Sequence, residues 1–338
     1  MELIPETFFE EMTSWLLLVG MAISIAGLTK GADWLVNGAV GLAKNLGINK
    51  IIIGATVVSL GTTAPECAVS VAAAWQGKPG LALGNAVGSV IANTGLVFGL
   101  CCVIAMIPLN RFVLNRHGWV QVGAAGLLAL IALGLGTIPR WVGMLFVVIL
   151  GVYLIVSIRW ARQYGQKEQA WELEHKAETH EKIKGKGAVG VLKDFGLIVV
   201  GLALVIFFSK IMVGSVTVLA RRMHVPEDVL AVTLVAFGTS LPELVTAIAA
   251  VAKGHKELMV GNIVGANILN VLFVVGFASL ATPLEVPHNF YTLHFPVMLT
   301  TLVLFRIYIF ISKTTFRRWQ GVLLLMVYGA YLVLLFTK

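Results

Sequence analysis

GNAVGSVIANTGLVFG (84–99) is repeated as GNIVGANILNVLFVVG (261–276), with eight of the sixteen positions identical. The same offset of 177 residues relates IIIGATVVSLGTTAPE (51–66) to DVLAVTLVAFGTSLPE (228–243), and Gly77 to Gly254, without a gap. Self-similarity over such a distance marks two related halves. Outward from these blocks, apolar runs of about 20 residues alternate with short polar breaks, as membrane helices do. The runs predict helices at 15–40, 50–75, 81–107, 119–138, 141–159, 188–222, 228–252, 259–282, 290–312 and 319–336. Five helices separate corresponding points of the two copies, and an odd number inserts the second half the other way up. The expected fold is therefore all-α integral membrane, with ten transmembrane helices as two inverted five-helix repeats. The expected parts are a first repeat at 1–159, a charged linker at 160–187 and a second repeat at 188–338. Inverted repeats with a site near the midplane are the mark of secondary transporters.

Charged residues make up 12% of the 338, about half of what a soluble domain carries. The net charge of +8 invites a nucleic-acid reading, but its distribution opposes one. Lys44, Lys50, Arg111, Arg116, the 160–187 cluster, Lys253, Lys256, Lys313, Arg317 and Arg318 fall in loops on one side. The other side carries Lys78, Arg140, Arg221, Arg222 and Lys338. That bias orients a membrane protein with its basic loops in the cytoplasm. It places the acidic N-terminus outside and the linker inside. The partners expected are the lipid bilayer and small cations, with no nucleic acid. The start, MELIPETFFEEMTSW, has no basic residue and reads as a retained segment rather than a cleaved signal. Cys67, Cys101 and Cys102 fall inside helices and read as small core residues. His175 and His180 stand among glutamates in the linker, where a solvated helical segment is the simpler reading than a metal site. Lys30, Asp33 and Lys210 are expected near helix ends, snorkelling or paired.

Chemistry concentrates in the repeated blocks. In Gly61-Thr62-Thr63-Ala64-Pro65-Glu66 a carboxylate sits in the middle of a membrane helix, which costs several kcal/mol unless something binds it. Pro65 has no N–H and deprives the Gly61 carbonyl of its helical donor, bending the helix there. Thr62 lies four residues before Glu66 on the same face, and Thr63 is close by. Gly238-Thr239-Ser240-Leu241-Pro242-Glu243 repeats the device. Carboxylates, hydroxyls and a freed carbonyl form an all-oxygen nest of the kind that hard cations such as Ca²⁺ and Na⁺ take. Two glutamates supply the charge for one divalent ion. In the other block Ser89 and Asn93 share a face, and Ala266 and Asn270 hold the same positions in the second copy. The glycine pairs Gly84/Gly88 and Gly261/Gly265 have the small-residue spacing of close helix packing. Asn85 and Asn262 are read first as partners for broken backbone and second as ligands.

These blocks, G-T-[ST]-x-P-E and G-N-x-x-G-[SA]-x-x-x-N in two copies, resemble the cation/calcium exchanger superfamily, specifically the prokaryotic sodium/calcium antiporters. The resemblance implies a core of helices two, three, seven and eight, crossed by long helices one and six that slide during alternating access. It implies Glu66 and Glu243 as shared calcium and sodium ligands, aided by hydroxyl and backbone oxygens of Thr62 and Thr239. Thr63, Ser240 and Ser89 would line sodium positions with the backbone carbonyls of Ser59 and Ala236, and Asn93 and Asn270 would hold the middle. Ala266 stands where many relatives have serine, and Asn270 where some have aspartate. The implied activity is antiport of Ca²⁺ against Na⁺, with both ions as cargo and no permanently bound cofactor. Proton/calcium exchange is the nearest alternative. An intramembrane acid/base enzyme and a cation channel are remoter ones, and the chain carries no nucleophile motif, HExxH pair or nucleotide loop.

Overall fold

The structure is a computed structural model that describes the backbone of residues 6–46, 50–175, 187–223 and 227–337. Side chains are described for 7–46, 50–160, 189–219, 221–223 and 240–335. After a single turn at Glu6–Glu10 the chain forms long helices. They are α1 (Ser14–Leu46), α2 (Lys50–Trp75), α3 (Pro79–Ile104), α4 (Arg111–Leu135) and α5 (Arg140–His175), then α6 (Gly187–Arg222), α7 (Glu227–Ala252), α8 (Lys256–Ala281), α9 (Phe290–Ile311) and α10 (Arg318–Thr337). Among the described residues nine are long and apolar enough to cross a membrane. The other, α7, has described side chains only from Ser240 onward.

Several boundaries differ from expectation. Helix α1 runs to Leu46 rather than 40, and α4 begins at Arg111 rather than 119. There Asn110 caps the helix by accepting from the Val113 N–H at 3.2 Å, so basic residues that read as loop belong to its first turns. Helix α5 continues to His175, well into the stretch expected as linker. Lys30, Asp33 and Lys210 lie mid-helix rather than near helix ends. At 33 and 36 residues, α1 and α6 exceed what one perpendicular crossing needs, and helices of that length tilt. Asp33 pairs with Lys253 Nζ at 3.0 Å, and Lys30 Nζ lies 5.7 Å from the Trp34 ring centroid.

The repeat in sequence becomes a repeat in structure. Gly77 and Gly254, one repeat apart, both adopt left-handed backbone, with φ of 70° and 75°. Each ends its helix with the N–H of the next residue bonded five residues back, Lys78 to Ala73 O at 2.9 Å and His255 to Ala250 O at 2.7 Å. This closure favours glycine at that position. Two π-helical turns, Asn93–Phe98 in α3 and Asn270–Val275 in α8, are also one repeat apart. A further π turn, Gly54–Val58, precedes the Pro65 segment of α2. Helical backbone continues through Pro65 and Pro242, so the marked irregularity lies in these turns.

The connectors reveal the inversion. Among the described residues there are four two-residue strands: β1 (Ile107–Pro108), β2 (Thr137–Ile138), β3 (Leu284–Glu285) and β4 (Thr315–Phe316). β1 pairs with β4, and β2 pairs with β3, both antiparallel. The α3–α4 connector of the first half thus shares a face with the α9–α10 connector of the second. The α4–α5 connector shares the other face with α8–α9. Corresponding connectors of the halves therefore lie on opposite faces.

Packing depends on missing side chains. A Cβ on Gly261 would sit 2.0 Å from Ile51 O, and one on Gly265 would sit 2.4 Å from Ala55 O. Helix α8 therefore rests against the backbone of α2. Helices α1 and α6 meet in the same manner, through Gly31 against Gly201 O and Gly38 against Asp194 O. Close approach of small residues is how helices associate where lipid supplies no hydrophobic drive. The three cysteines are free and buried, as the sequence suggests.

Candidate functional site

Helices α2, α3, α7 and α8 converge where the two motif copies meet. Glu66 on α2 and Glu243 on α7 are both fully buried, and their carboxyl groups interact electrostatically with each other. Thr62 lies beside Glu243, so α2 serves the carboxyl of the other half as well as its own. Around them Ser59, Thr62, Thr63, Ser89, Asn93 and Asn270 are sealed from solvent, and Ser240 is nearly so. Ala236 and Thr239 lie in α7, where their side chains are outside those described.

The polar contacts link helices from opposite halves. Ser240 Oγ donates to Ser89 Oγ at 3.4 Å, joining α7 to α3. Thr62 Oγ1 donates to Asn262 Oδ1 at 3.4 Å, joining α2 to α8, and also to Ser59 O at 3.3 Å. Asn85 Nδ2 donates to the Glu66 carbonyl at 3.1 Å and to Ser70 Oγ at 2.9 Å. The backbone carbonyl it meets is that of Glu66, not that of Gly61, which Pro65 leaves without its helical donor. Asn262 does not repeat that contact: Ala247 stands where the first half has Ser70. Asn270 Nδ2 donates to Ala266 O at 3.1 Å.

Many oxygens remain without partners. The four carboxyl oxygens of Glu66 and Glu243, Thr63 Oγ1, Asn270 Oδ1 and both side-chain polar atoms of Asn93 are buried with no hydrogen bond. A buried polar group without a partner costs about 1–3 kcal/mol, and more when it is charged. So many in one place, around two carboxyls, make a cluster with the donor set of an oxygen-ligated cation. Repeat symmetry explains one of them. Thr63 is the counterpart of Ser240, and the counterpart of Ser89 is Ala266. The hydroxyl pair of one half is therefore an unmatched threonine in the other.

Asn267 and Thr94 did not stand out in the sequence, yet Asn267 Nδ2 donates to Thr94 Oγ1 at 2.8 Å. Both are buried, and the bond ties α8 to the π turn of α3 next to Asn93. The symmetry-related positions are Val90 and Val271, so polar residues stand where the other copy is apolar. Position-by-position comparison of the copies carries that signal.

The family model described as sodium/calcium exchanger protein matches residues 16–159 and 193–337. The sodium/calcium exchanger MaX1 of Methanosarcina acetivorans is 30% identical over 350 residues, covering 95% of this chain and 97% of that protein. The inner membrane protein YrbG of Escherichia coli is 34% identical, covering 91% and 94%. Among solved structures, the sodium-calcium exchanger NCX_Mj soaked with 2.5 mM Na⁺ and 0.1 mM Ca²⁺ matches with a TM-score of 0.80. It is 26% identical over 94% of this chain and 98% of that one.

Proposed function

The chain belongs to the sodium/calcium exchanger family, and from that membership we propose that it exchanges Ca²⁺ for Na⁺ by alternating access at the α2–α3–α7–α8 cluster. One observation carries the reading: two fully buried glutamates, one from each inverted half, lie in a buried polar cluster where the side-chain oxygens of Thr63, Asn93 and Asn270 have no hydrogen-bond partner. Ca²⁺ neutralises both carboxylates at the centre. Na⁺ ions replace it by spreading over neighbouring positions built from Thr63, Ser240, Ser89 and the carbonyls of Ser59 and Ala236. Thr62 and Thr239 serve both loads, and Asn93 and Asn270 complete the middle. Either load cancels the buried charge. An empty site holding both charges in a low dielectric would oppose occlusion, and so would enforce exchange over leak.

In this reading α1 and α6 slide as one body, because their backbones touch through Gly31, Gly38 and Gly201. The repeats 1–159 and 188–338 are the two working halves, joined by 160–187. The linker face is cytoplasmic, the N-terminus is outside, and the membrane is a prokaryotic inner membrane. A second reading, proton/calcium exchange, is favoured by Ala266, which stands where the first half has Ser89 and leaves one sodium position short of a hydroxyl oxygen.

The deciding experiment is ⁴⁵Ca uptake into proteoliposomes, with Na⁺, K⁺ and H⁺ gradients imposed one at a time. Uptake that follows the Na⁺ gradient with the pH gradient collapsed supports sodium exchange; uptake that follows only the pH gradient overturns it. Glu66→Gln and Glu243→Gln are each expected to lower uptake by about a hundredfold or more while the protein still inserts. Transport by either variant at the level of the unchanged protein would remove the site assignment.

A further inference from the structure

A second concavity lies away from the cluster, at the end of the bundle where the linker leaves. It is a cavity of about 410 Å³ between the C-terminal part of α1, the N-terminal part of α6 and the α7–α8 turn. Its walls carry Lys44 and Asn37 from α1, Lys193 and Asp194 from α6, and His255 from the turn. Neither Lys44 nor Lys193 has an ion pair among the described residues. Lys50 and Lys253 are close enough to act on His255, whose pKa is lowered by burial and then by Lys50, Lys44 and Lys253. That ring of cations makes the imidazole a neutral donor and acceptor rather than a further charge.

The opposing carboxylates are largely engaged. Asp33 is held by Lys253 Nζ at 3.0 Å. Asp194 is 8% exposed and accepts from Asn45 Nδ2 at 2.5 Å. Gly41 leaves the room it occupies, since a Cβ there would meet the Asp194 carboxyl at 2.5 Å. Asn37 Oδ1 accepts from Lys253 Nζ at 3.0 Å, which leaves its amide N–H groups for another acceptor. The cavity is thus a concave, cation-rich wall with free donors at the level where helices leave the membrane. Basic pockets between transmembrane helices at that level suit phosphate headgroups.

We propose that this cavity binds a phosphate-bearing anion, either the headgroup of an anionic phospholipid or free phosphate, held by Lys44, Lys193, Asn37 and His255. The assignment is independent of which counter-ion the central cluster takes. A headgroup reaches the site sideways from the leaflet, whereas free phosphate enters from water.

Thermal unfolding of the purified full chain, followed by tryptophan fluorescence at fixed ionic strength, tests this. The probes are dispersed phosphatidylglycerol, phosphatidylcholine and inorganic phosphate. Phosphatidylglycerol should raise the midpoint saturably, and phosphatidylcholine should not. The paired change Lys44→Ala with Lys193→Ala should raise the half-saturating concentration about tenfold or more. Lys78→Ala with Arg140→Ala, on the opposite face, should leave it unchanged. Asp194→Asn should lower it by removing the one carboxylate among the described residues of the wall, an effect that a merely structural role for Asp194 would not produce. If the paired alanine variant fails to accumulate, Lys193→Gln alone carries the comparison. A saturable shift with inorganic phosphate that displaces the lipid identifies free phosphate as the source; its absence identifies the lipid. Equal shifts with phosphatidylcholine, or a lysine variant that binds phosphatidylglycerol like the unchanged protein, would overturn the proposal.

Discussion

Thr63 and Ser240 hold the same place one repeat apart, but only Ser240 meets another hydroxyl, that of Ser89 at 3.4 Å. Ala266 is what Thr63 faces by symmetry, and Thr63 Oγ1 stays buried without a partner. Ala266→Ser should supply the missing oxygen. A hydrogen bond contributes about 1 kcal/mol net, so the sodium concentration for half-maximal Ca²⁺ efflux should fall roughly fivefold. An unchanged sodium dependence in proteoliposomes would mean that this position holds no ion. Asn270 poses the complementary case. Its Nδ2 now donates to Ala266 O at 3.1 Å, which an aspartate cannot do, and aspartate adds a third carboxylate beside Glu66 and Glu243. Asn270→Asp is expected to change the sodium or potassium dependence of ⁴⁵Ca flux more than it changes calcium affinity. Equal effects on both would remove Asn270 from the discriminating set. At this scale the residues that recur in the two copies were legible, because repetition singles them out. Asn267 and Thr94 were not, because each is polar where its counterpart is valine, and repetition hides what is present once.

The elements that carry the site are held at backbone distance. Gly261 is the tightest case, with Ile51 O 2.0 Å from where a Cβ would be. The clash is with backbone, so α2 and α8 must separate to relieve it. Gly261→Ala should destabilise the purified protein by about 1–3 kcal/mol, read as a lower unfolding midpoint. Gly134→Ala serves as the control, since nothing lies within 4 Å of its Cβ position among the described residues. Equal midpoints for the two variants would refute tight α2–α8 packing. Sequence periodicity located these helices well where the apolar run is uninterrupted. It shortened α1, whose last turns interrupt the buried Leu42 and Ala43 with Lys44 and Asn45. It missed the start of α4 because Arg111 and Arg116 read as loop, although they sit on a helix capped by Asn110. The π turns at Asn93–Phe98 and Asn270–Val275 leave no pattern in composition. Only their spacing of one repeat betrays a common origin.

At the scale of the whole molecule, the two halves are exchanged by an inversion that the connectors record. β1 pairs with β4 and β2 with β3, so each half completes its short strands on the other. The odd count of helices between repeats foretold that inversion, while the strands themselves, at two residues each, are too short to leave a signal. The inversion makes residues that are equivalent in sequence opposite in space. Lys78 and His255 occupy the same position after the left-handed glycines Gly77 and Gly254, in turns that the fold assigns to opposite faces. The native cysteines are buried at 0–8% exposure, which keeps the background low for single added thiols. Lys78→Cys should react with a membrane-impermeant maleimide in intact cells, given the outward orientation expected from the basic loops. His255→Cys should react only after the membrane is opened. Reversed accessibility would overturn the orientation and leave the inversion intact. Labelling of both thiols from the same side would contradict the inversion itself, and with it a single central site approached alternately from the two faces.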